Sequence, residues 1–341
     1  MKIFSLRHDP VQGVSWQYQW YGVFSESITK SGHELSDNPK EFKNLEHEFD
    51  CIFVHTITLK ALQDEEIFYR RMGRGERVYL FHHDNSPLTQ KPNLGANNAQ
   101  ILFNFNERLR AKCTGIIALN SHSYEIKLKD LEEGRKHLMH LPPVCREFND
   151  NEGRGILIYG NLRNKTETVY AILIAIASAL SNRKLEIGSL NPAGKLQYTF
   201  HKLLSLTSKL HNIRTHVGSF NLVGEDEISA WDNCAVVVIL RKKGHCNSGV
   251  LTKALAEGKL VLTTEIDAVK RDFQSPDIRV ARNILHLFLE LFMLNRNLMK
   301  RRVHWRYAAA SKDNFNDTFE KYRVELDNVI CQRPYVRVLR D

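Results

Sequence analysis

Three groups of residues have types and spacings suited to chemistry. His82-His83-Asp84 closes the apolar run 77–81. One imidazole there, titrating near neutrality, can orient or deprotonate a hydroxyl while Asp84 holds its tautomer. The plainer reading is a turn capped by a histidine. Asn247-Ser248-Gly249 follows the apolar segment 235–240 and opens a periodic one, Val250, Leu251, Ala254 and Leu255, with Lys253 one turn in. Free backbone N–H groups at such a helix start bind anions, although an ordinary strand-to-helix turn with a serine cap has the same composition. Arg163 and Lys165 stand in a basic loop after the strand pattern 155–160 and suit charge-assisted hydrogen bonds to phosphate oxygens; the alternative is a solvated loop. His245 lies beside the glycine turn, where a ligand contact and simple solvation are both open.

These residues need elements to hold them. Short apolar runs at 2–6, 50–55, 77–81 and 115–119 read as buried strands, and the last three end in polar clusters. Helical patterns intervene at 59–72 and 99–113, and a first helix runs to about Lys30 and stops at Ser31-Gly32. His140-Leu141-Pro142-Pro143-Val144 and the polar stretch 146–154 mark a linker, giving domains at 1–150 and 151–341. The second half restarts with a strand at 155–160 and a nearly all-apolar helix at 166–181 that a broad sheet face would bury. Strands at 185–188, 213–218, 235–240 and 259–264 follow, with a helix from 225 to Trp231. The region 279–330 reads as mostly helical, with 284–294 buried, and its final helices as packing back on the first domain. The fold class is α/β, with two Rossmann-like domains facing across a cleft, and ligands are expected at the carboxyl ends of the strands.

With 341 residues, two cores are expected. Hydrophobic residues make up 43% and charged residues 26%, which is globular rather than disordered. A net charge of +9 points to an anionic partner: nucleic acid, a phosphorylated small molecule or an acidic membrane surface. The six cysteines, at 51, 113, 145, 234, 246 and 331, show no metal-binding spacing and read as reduced cytoplasmic thiols. No apolar run reaches the ~20 residues of a membrane-spanning helix. The aromatic group Trp16, Tyr18, Trp20 and Tyr21 reads first as core, with sugar stacking or membrane contact as the other option. Arg108, Arg110, Lys112, Arg135 and Lys136 form either a solvated basic surface or a face for anionic lipid.

Several motifs together carry a resemblance. Gly160-Asn161-Leu162 with Lys165, then Gly218-Ser219-Phe220, Glu227-Ile228 to Trp231, and Ser248-Gly249-Val250 through Val261 resemble the donor domain of GT-B-fold glycosyltransferases, particularly the retaining family 4 group. Asn314-Phe315 ahead of the last helix looks like that group's closing segment, and Gly13, Ser31-Gly32-His33-Glu34-Leu35 and His82-His83-Asp84 match its first half more loosely. The resemblance implies transfer of a sugar from a nucleotide-diphosphate donor to a hydroxyl of a glycan or lipid-linked acceptor, with retention, in cell-surface polysaccharide or glycoconjugate synthesis. It implies a nucleotide sugar bound at Gly160, Asn161, Arg163, Lys165, His245, Asn247, Ser248, Gly249, Val250 and Lys253, with Gly13 and Trp16 on the acceptor side. His82, His83 and Asp84 are the implied catalytic group. No cofactor or metal is expected, since basic residues and helix N-termini can neutralise the diphosphate and the chain has no Asp-x-Asp tripeptide. The enzyme would be cytoplasmic, at most peripheral at the inner face of a membrane.

Three positions depart from the group's pattern. His245 and Lys253 stand where it carries a pair of glutamates, and Asn161 where it carries a basic residue, so Arg163 or Lys165 would have to make the diphosphate contact. The alternative is a non-catalytic binding protein of the same fold for an anionic glycan or nucleic acid.

Overall fold

The computed structural model describes residues 1–6, 15–55, 57–82, 95–140, 155–159, 165–180, 185–188, 213–216, 225–240, 249–257, 259–264, 278–297 and 319–331. They divide into two compact units. One comprises Met1–Asp9, Tyr21–Pro142 and Phe319–Asp341, and the other Pro10–Trp20 and Pro143–Thr318.

Unit 1 is built on a six-stranded, all-parallel sheet. Its strands are β1 (Lys2–Leu6), β2 (Glu34–Ser36), β3 (Cys51–Val54), β4 (Arg77–Phe81), β5 (Gly115–Ala118) and β6 (Lys136–Leu138), in the order β2-β1-β3-β4-β5-β6. Its helices are α1 (Ser15–Lys30), α2 (Pro39–Lys43), α3 (Glu65–Gly73) and α4 (Ala96–Lys112), and the segment 59–64 before α3 is a 3-10 turn. The central strands are apolar on both faces, as a covered parallel sheet requires. Phe4, Ile52, Val54, Val78, Leu80 and Ile116 face α2, α3 and α4. The alternate residues form an aromatic layer, with Phe53 stacked on Tyr79 at 5.3 Å and Phe24 of α1 edge-on to Phe53 at 5.3 Å.

The chain covers that second face with a helix from its far end. Residues 319–331 are helical and bury Phe319, Tyr322, Leu326, Val329 and Ile330. The Tyr79 hydroxyl donates to the Val329 carbonyl at 3.2 Å and Arg77 Nη1 to the Ile330 carbonyl at 2.6 Å. Glu325 accepts the His140 backbone N–H at 3.1 Å.

Two glycines make turns that only a left-handed residue closes. At the end of α1, Gly32 has φ +77°, with His33 N–H bonded to the Ile28 carbonyl and Gly32 N–H to the Thr29 carbonyl. Gly75 (φ +87°) ends α3 in the same way, with Glu76 N–H on the Arg71 carbonyl, and so sets Glu76 beside Arg71. A third glycine is required for space. A Cβ at Gly115 would stand 2.6 Å from His137 Nε2 and 3.1 Å from Tyr79 Cδ1, and burial holds the His137 imidazole below its ordinary pKa. Gly115→Ala is therefore expected to cost about 1–3 kcal/mol through overpacking, measured as a lowered urea midpoint with an unchanged slope.

Unit 2 carries a second all-parallel sheet: β7 (Gly155–Tyr159), β8 (Leu185–Gly188), β9 (Ile213–His216), β10 (Cys234–Ile239), β11 (Leu260–Thr264) and β12 (Ile278–Ala281). The order is β12-β11-β10-β7-β8-β9. Its helices are α5 (Lys165–Leu180), α6 (Glu225–Asn233), α7 (Gly249–Ala256) and α8 (Ile284–Asn297); the unit 1 helix at 319–331 is α9. One face, with Ile156, Ile158, Val236, Val238 and Leu262, packs on Ala171 and Ile174 of α5 and on Leu287 and Leu291 of α8. The other, with Leu157, Tyr159, Val237, Ile239 and Val261, packs on Trp231 of α6 and on Val250, Leu251 and Ala254 of α7. This is the doubly wound 3-2-1-4-5-6 order.

Several sequence expectations need correction. The region 279–330 is not helical from its start: 278–281 is an edge strand paired with β11. Segment 284–294 is not buried throughout, since Leu285 and Leu289 are 65% and 50% exposed while Leu287 and Leu291 are buried. Val169 and Ile176 of the apolar helix α5 are likewise exposed. These helices lie on one face of one sheet, so only the stripe turned to it is covered. The linker at 146–154 lies outside the described residues.

Candidate functional site

In doubly wound sheets ligands bind beyond the carboxyl ends of the strands where the order reverses. In unit 2 that reversal is between β7 and β10, which are hydrogen-bonded neighbours (Leu157 opposite Val237, Ile158 opposite Val238). β7 ends at Tyr159 and α5 begins at Lys165; β10 ends at Ile239 and α7 begins at Gly249. Two helix N-termini, each the positive end of a helix dipole, thus start from adjacent strand ends. The connecting residues Gly160, Asn161, Arg163, His245, Asn247 and Ser248 lie outside the described residues. Lys165 and Gly249 are the first residues of their helices, and Val250 is buried in the core beneath α7.

Lys253 departs from what its type suggests. It is 2% exposed, and its Nζ lies 4.6 Å from the centre of the Trp231 ring, which also packs on Tyr159 at 5.3 Å. The residue is held inside unit 2 by a cation–π contact, which keeps the cost of burying an ammonium down. One partner is Trp231, and the sequence signal for it is a tryptophan near the end of α6, with two residues between it and the central strand β10.

In unit 1 the order reverses between β1 and β3. Beyond β3 stands His55, buried among three rings: Phe24 at 4.5 Å, Phe81 at 4.7 Å and Tyr21 at 5.2 Å. In the sequence His55 is one more polar residue at a strand end, because its position at the reversal depends on strand pairing. His82 follows β4, is half-buried, and its N–H continues the ladder to the Ile117 carbonyl at 2.8 Å. His83, Asp84 and Gly13 lie outside the described residues. Trp16 lies in α1, and its side chain is outside them. Beyond β5, Asn120 accepts the Ser123 N–H at 2.7 Å and His122 is buried, so this strand end is a structured turn. Of the aromatic group at the start of α1, Tyr21 is core.

The basic residues of unit 1 have partners of their own. Arg108 makes a two-pronged pair with Glu65 at 2.7 and 2.8 Å and holds that carboxyl below its ordinary pKa. Arg110 pairs with Glu107 and Lys136 with Glu133; Lys112 lies over the Tyr69 ring, and Arg135 donates to the carbonyls that end α4. Among the described residues, no helix is long and apolar enough to cross a membrane.

No protein-family model matches the chain, and no curated protein matches it by sequence. Solved structures do match it in fold. HepE from Anabaena, in complex with UDP and glucose, superposes with a TM-score of 0.66 at 12% identity over 96% of this chain and 99% of its own. Sucrose-phosphate synthase from Thermosynechococcus elongatus gives 0.64 at 10% identity, over 96% and 98%. The lipopolysaccharide outer core galactosyltransferase WaaB gives 0.55 at 12%, over 97% and 99%. At such identities the likeness is one of fold. With the two parallel sheets described above, it establishes that this chain has the two-unit α/β architecture of the GT-B glycosyltransferases.

Proposed function

We propose that this chain is a glycosyltransferase that takes a sugar from a nucleotide-diphosphate donor and delivers it to a hydroxyl of a glycan or lipid-linked acceptor. The observation that carries the reading is the start of two helices, at Lys165 and Gly249, from adjacent strand ends at the reversal point of unit 2. A diphosphate set there would meet N–H donors and dipoles from both helices, with Lys165 and Arg163 supplying formal charge. The same groups stabilise the charge that develops on the leaving diphosphate as the glycosidic bond breaks. Asn247, Ser248 and Gly249 would bind phosphate or sugar hydroxyls, with His245 near the sugar; these groups need no metal to balance the diphosphate. HepE, which shares the fold, was crystallised with UDP-glucose and with UDP and glucose, which favours UDP as the nucleotide.

In this reading unit 1 receives the acceptor, with His82, His83 and Asp84 orienting or deprotonating its hydroxyl. Gly13 and Trp16 would also contact the acceptor, and the anomeric configuration would be retained. The pathway is cell-surface polysaccharide or glycoconjugate synthesis, with the enzyme in the cytoplasm or against the inner membrane face.

The test is turnover of a UDP-hexose panel followed by proton NMR of the anomeric signal. Release of UDP from at least one donor is expected, with the first-formed sugar keeping the donor's configuration. Inversion would overturn the retaining assignment. Absence of turnover and of binding across UDP, GDP, ADP and CMP donors would overturn the enzyme reading.

A further inference from the structure

Apart from any nucleotide chemistry, unit 1 gathers three metal-binding groups at the opposite edge of its sheet from the strand carboxyl ends. His33 directly precedes β2, where the glycine turn after α1 fixes its backbone. Its Nε2 lies 2.8 Å from Asp327 Oδ1, and the same oxygen accepts from Cys331 Sγ at 3.8 Å. Asp327 and Cys331 are four residues apart on α9 and so share one face. All three ligand atoms fall within 4.8 Å of one another.

The arrangement is wrong for a nucleophile. A histidine that activated the thiol would stand between Cys331 and the carboxylate, whereas here Asp327 stands between them, and a carboxylate is far too weak a base to take a thiol proton. It is also distinct from the structural thiols, since burial pushes Cys51 and Cys234 up to about 12 and keeps them inert. Cys331 is exposed. A tetrahedral zinc centre with ordinary bond lengths sets its ligand atoms about 3.3–3.8 Å apart, so the His33–Asp327 pair would open by about half an ångström and the sulfur would close in. One imidazole, one carboxylate and one thiolate neutralise a divalent cation.

We propose that His33, Asp327 and Cys331 bind a zinc-class divalent cation that fastens α9 to the turn after α1, with a water in the fourth position. Binding releases the Cys331 thiol proton to solvent. The site would make the C-terminal helix's hold on unit 1 depend on metal.

The experiment uses the full chain, reduced and stripped with a chelator, then titrated with cobalt(II) chloride and back-titrated with zinc(II) chloride. The expected result is a thiolate-to-cobalt charge-transfer band saturating at one equivalent and bleached by zinc. Cys331→Ser, at an exposed position, should remove the band without altering the far-UV spectrum, and His33→Ala should weaken cobalt binding about 10–100-fold, at least the loss seen when a supporting partner of a ligand is removed. Absence of the band in the wild-type chain would reduce the cluster to an ion pair, and persistence of the band in Cys331→Ser would place the metal elsewhere. Either result overturns the proposal.

Discussion

Replacing Arg71 by alanine is expected to destabilise unit 1 by about 3–5 kcal/mol, the cost of breaking a fully buried ion pair from one side. Arg71 has no exposed surface. Its Nη1 meets both Glu76 oxygens, at 2.8 and 2.9 Å, and the His47 carbonyl at 2.9 Å. Nε and Nη2 serve the carbonyls of Glu41 and Phe42 at the end of α2 and that of Asn44, which also accepts the His47 N–H at 3.1 Å. The guanidinium also lies 4.9 Å from the Phe49 ring and 5.2 Å from that of Phe42. The substitution therefore strands a buried carboxylate and a set of carbonyls together. Urea denaturation followed by circular dichroism reads the loss, and a change below about 1 kcal/mol would mean that water replaces the guanidinium. Arg71→Lys is expected to recover little, because a single ammonium cannot reach carbonyls spread along one fork.

The second large effect is expected at Trp231→Ala, about 3–5 kcal/mol in unit 2. The ring is fully buried between Tyr159 and α7, and it is the face on which Lys253 rests. Alanine leaves a cavity and a buried ammonium without its ring. Trp231→Phe keeps an aromatic face and is expected to cost on the order of 1–2 kcal/mol. Lys253→Met preserves volume and removes the charge, so in the Trp231→Ala background it should be less harmful than alone, or even stabilising. A double-mutant cycle on the denaturation midpoints reads this coupling. Strict additivity would show that Lys253 finds its compensation elsewhere.

The central strands were legible because a sheet covered on both faces demands continuous apolar runs: β1, β3, β4, β5, β7, β10 and β11 all stand where such runs occur. Of the four edge strands only β9 was, within the strand pattern at 213–218. β2 (Glu-Leu-Ser), β6 (Lys-His-Leu) and β12 (Ile-Arg-Val-Ala) are short, half-exposed and polar at alternate positions, so only pairing with a neighbour marks them as strands. The stop of α1 at Ser31-Gly32 was readable from the glycine alone. At the candidate site the strand ends and helix starts were legible, because strand-loop-helix composition is local. Strand order is a property of pairing, so nothing in the composition ranks His55 above His82 or brings the end of β7 beside the end of β10. Lys253 misleads for a different reason: lysine is seldom buried, and the ring that allows it comes from another helix. The return of α9 was expected only as final helices packing back on the first domain, and its partners, Tyr79 and Arg77, lie far away in the chain.

The central claim is that unit 2 binds a nucleotide diphosphate where α5 and α7 begin, and calorimetric titration of UDP into the wild-type chain and into Lys165→Ala tests it most directly. The account predicts saturable one-site binding to the wild type that weakens as salt rises. It predicts about tenfold or greater loss in Lys165→Ala, as removal of one charge-assisted hydrogen bond implies. Equal UDP affinity in the two proteins would contradict the assignment of that helix start. No binding to the wild type by UDP or by any other nucleoside diphosphate would contradict the account as a whole.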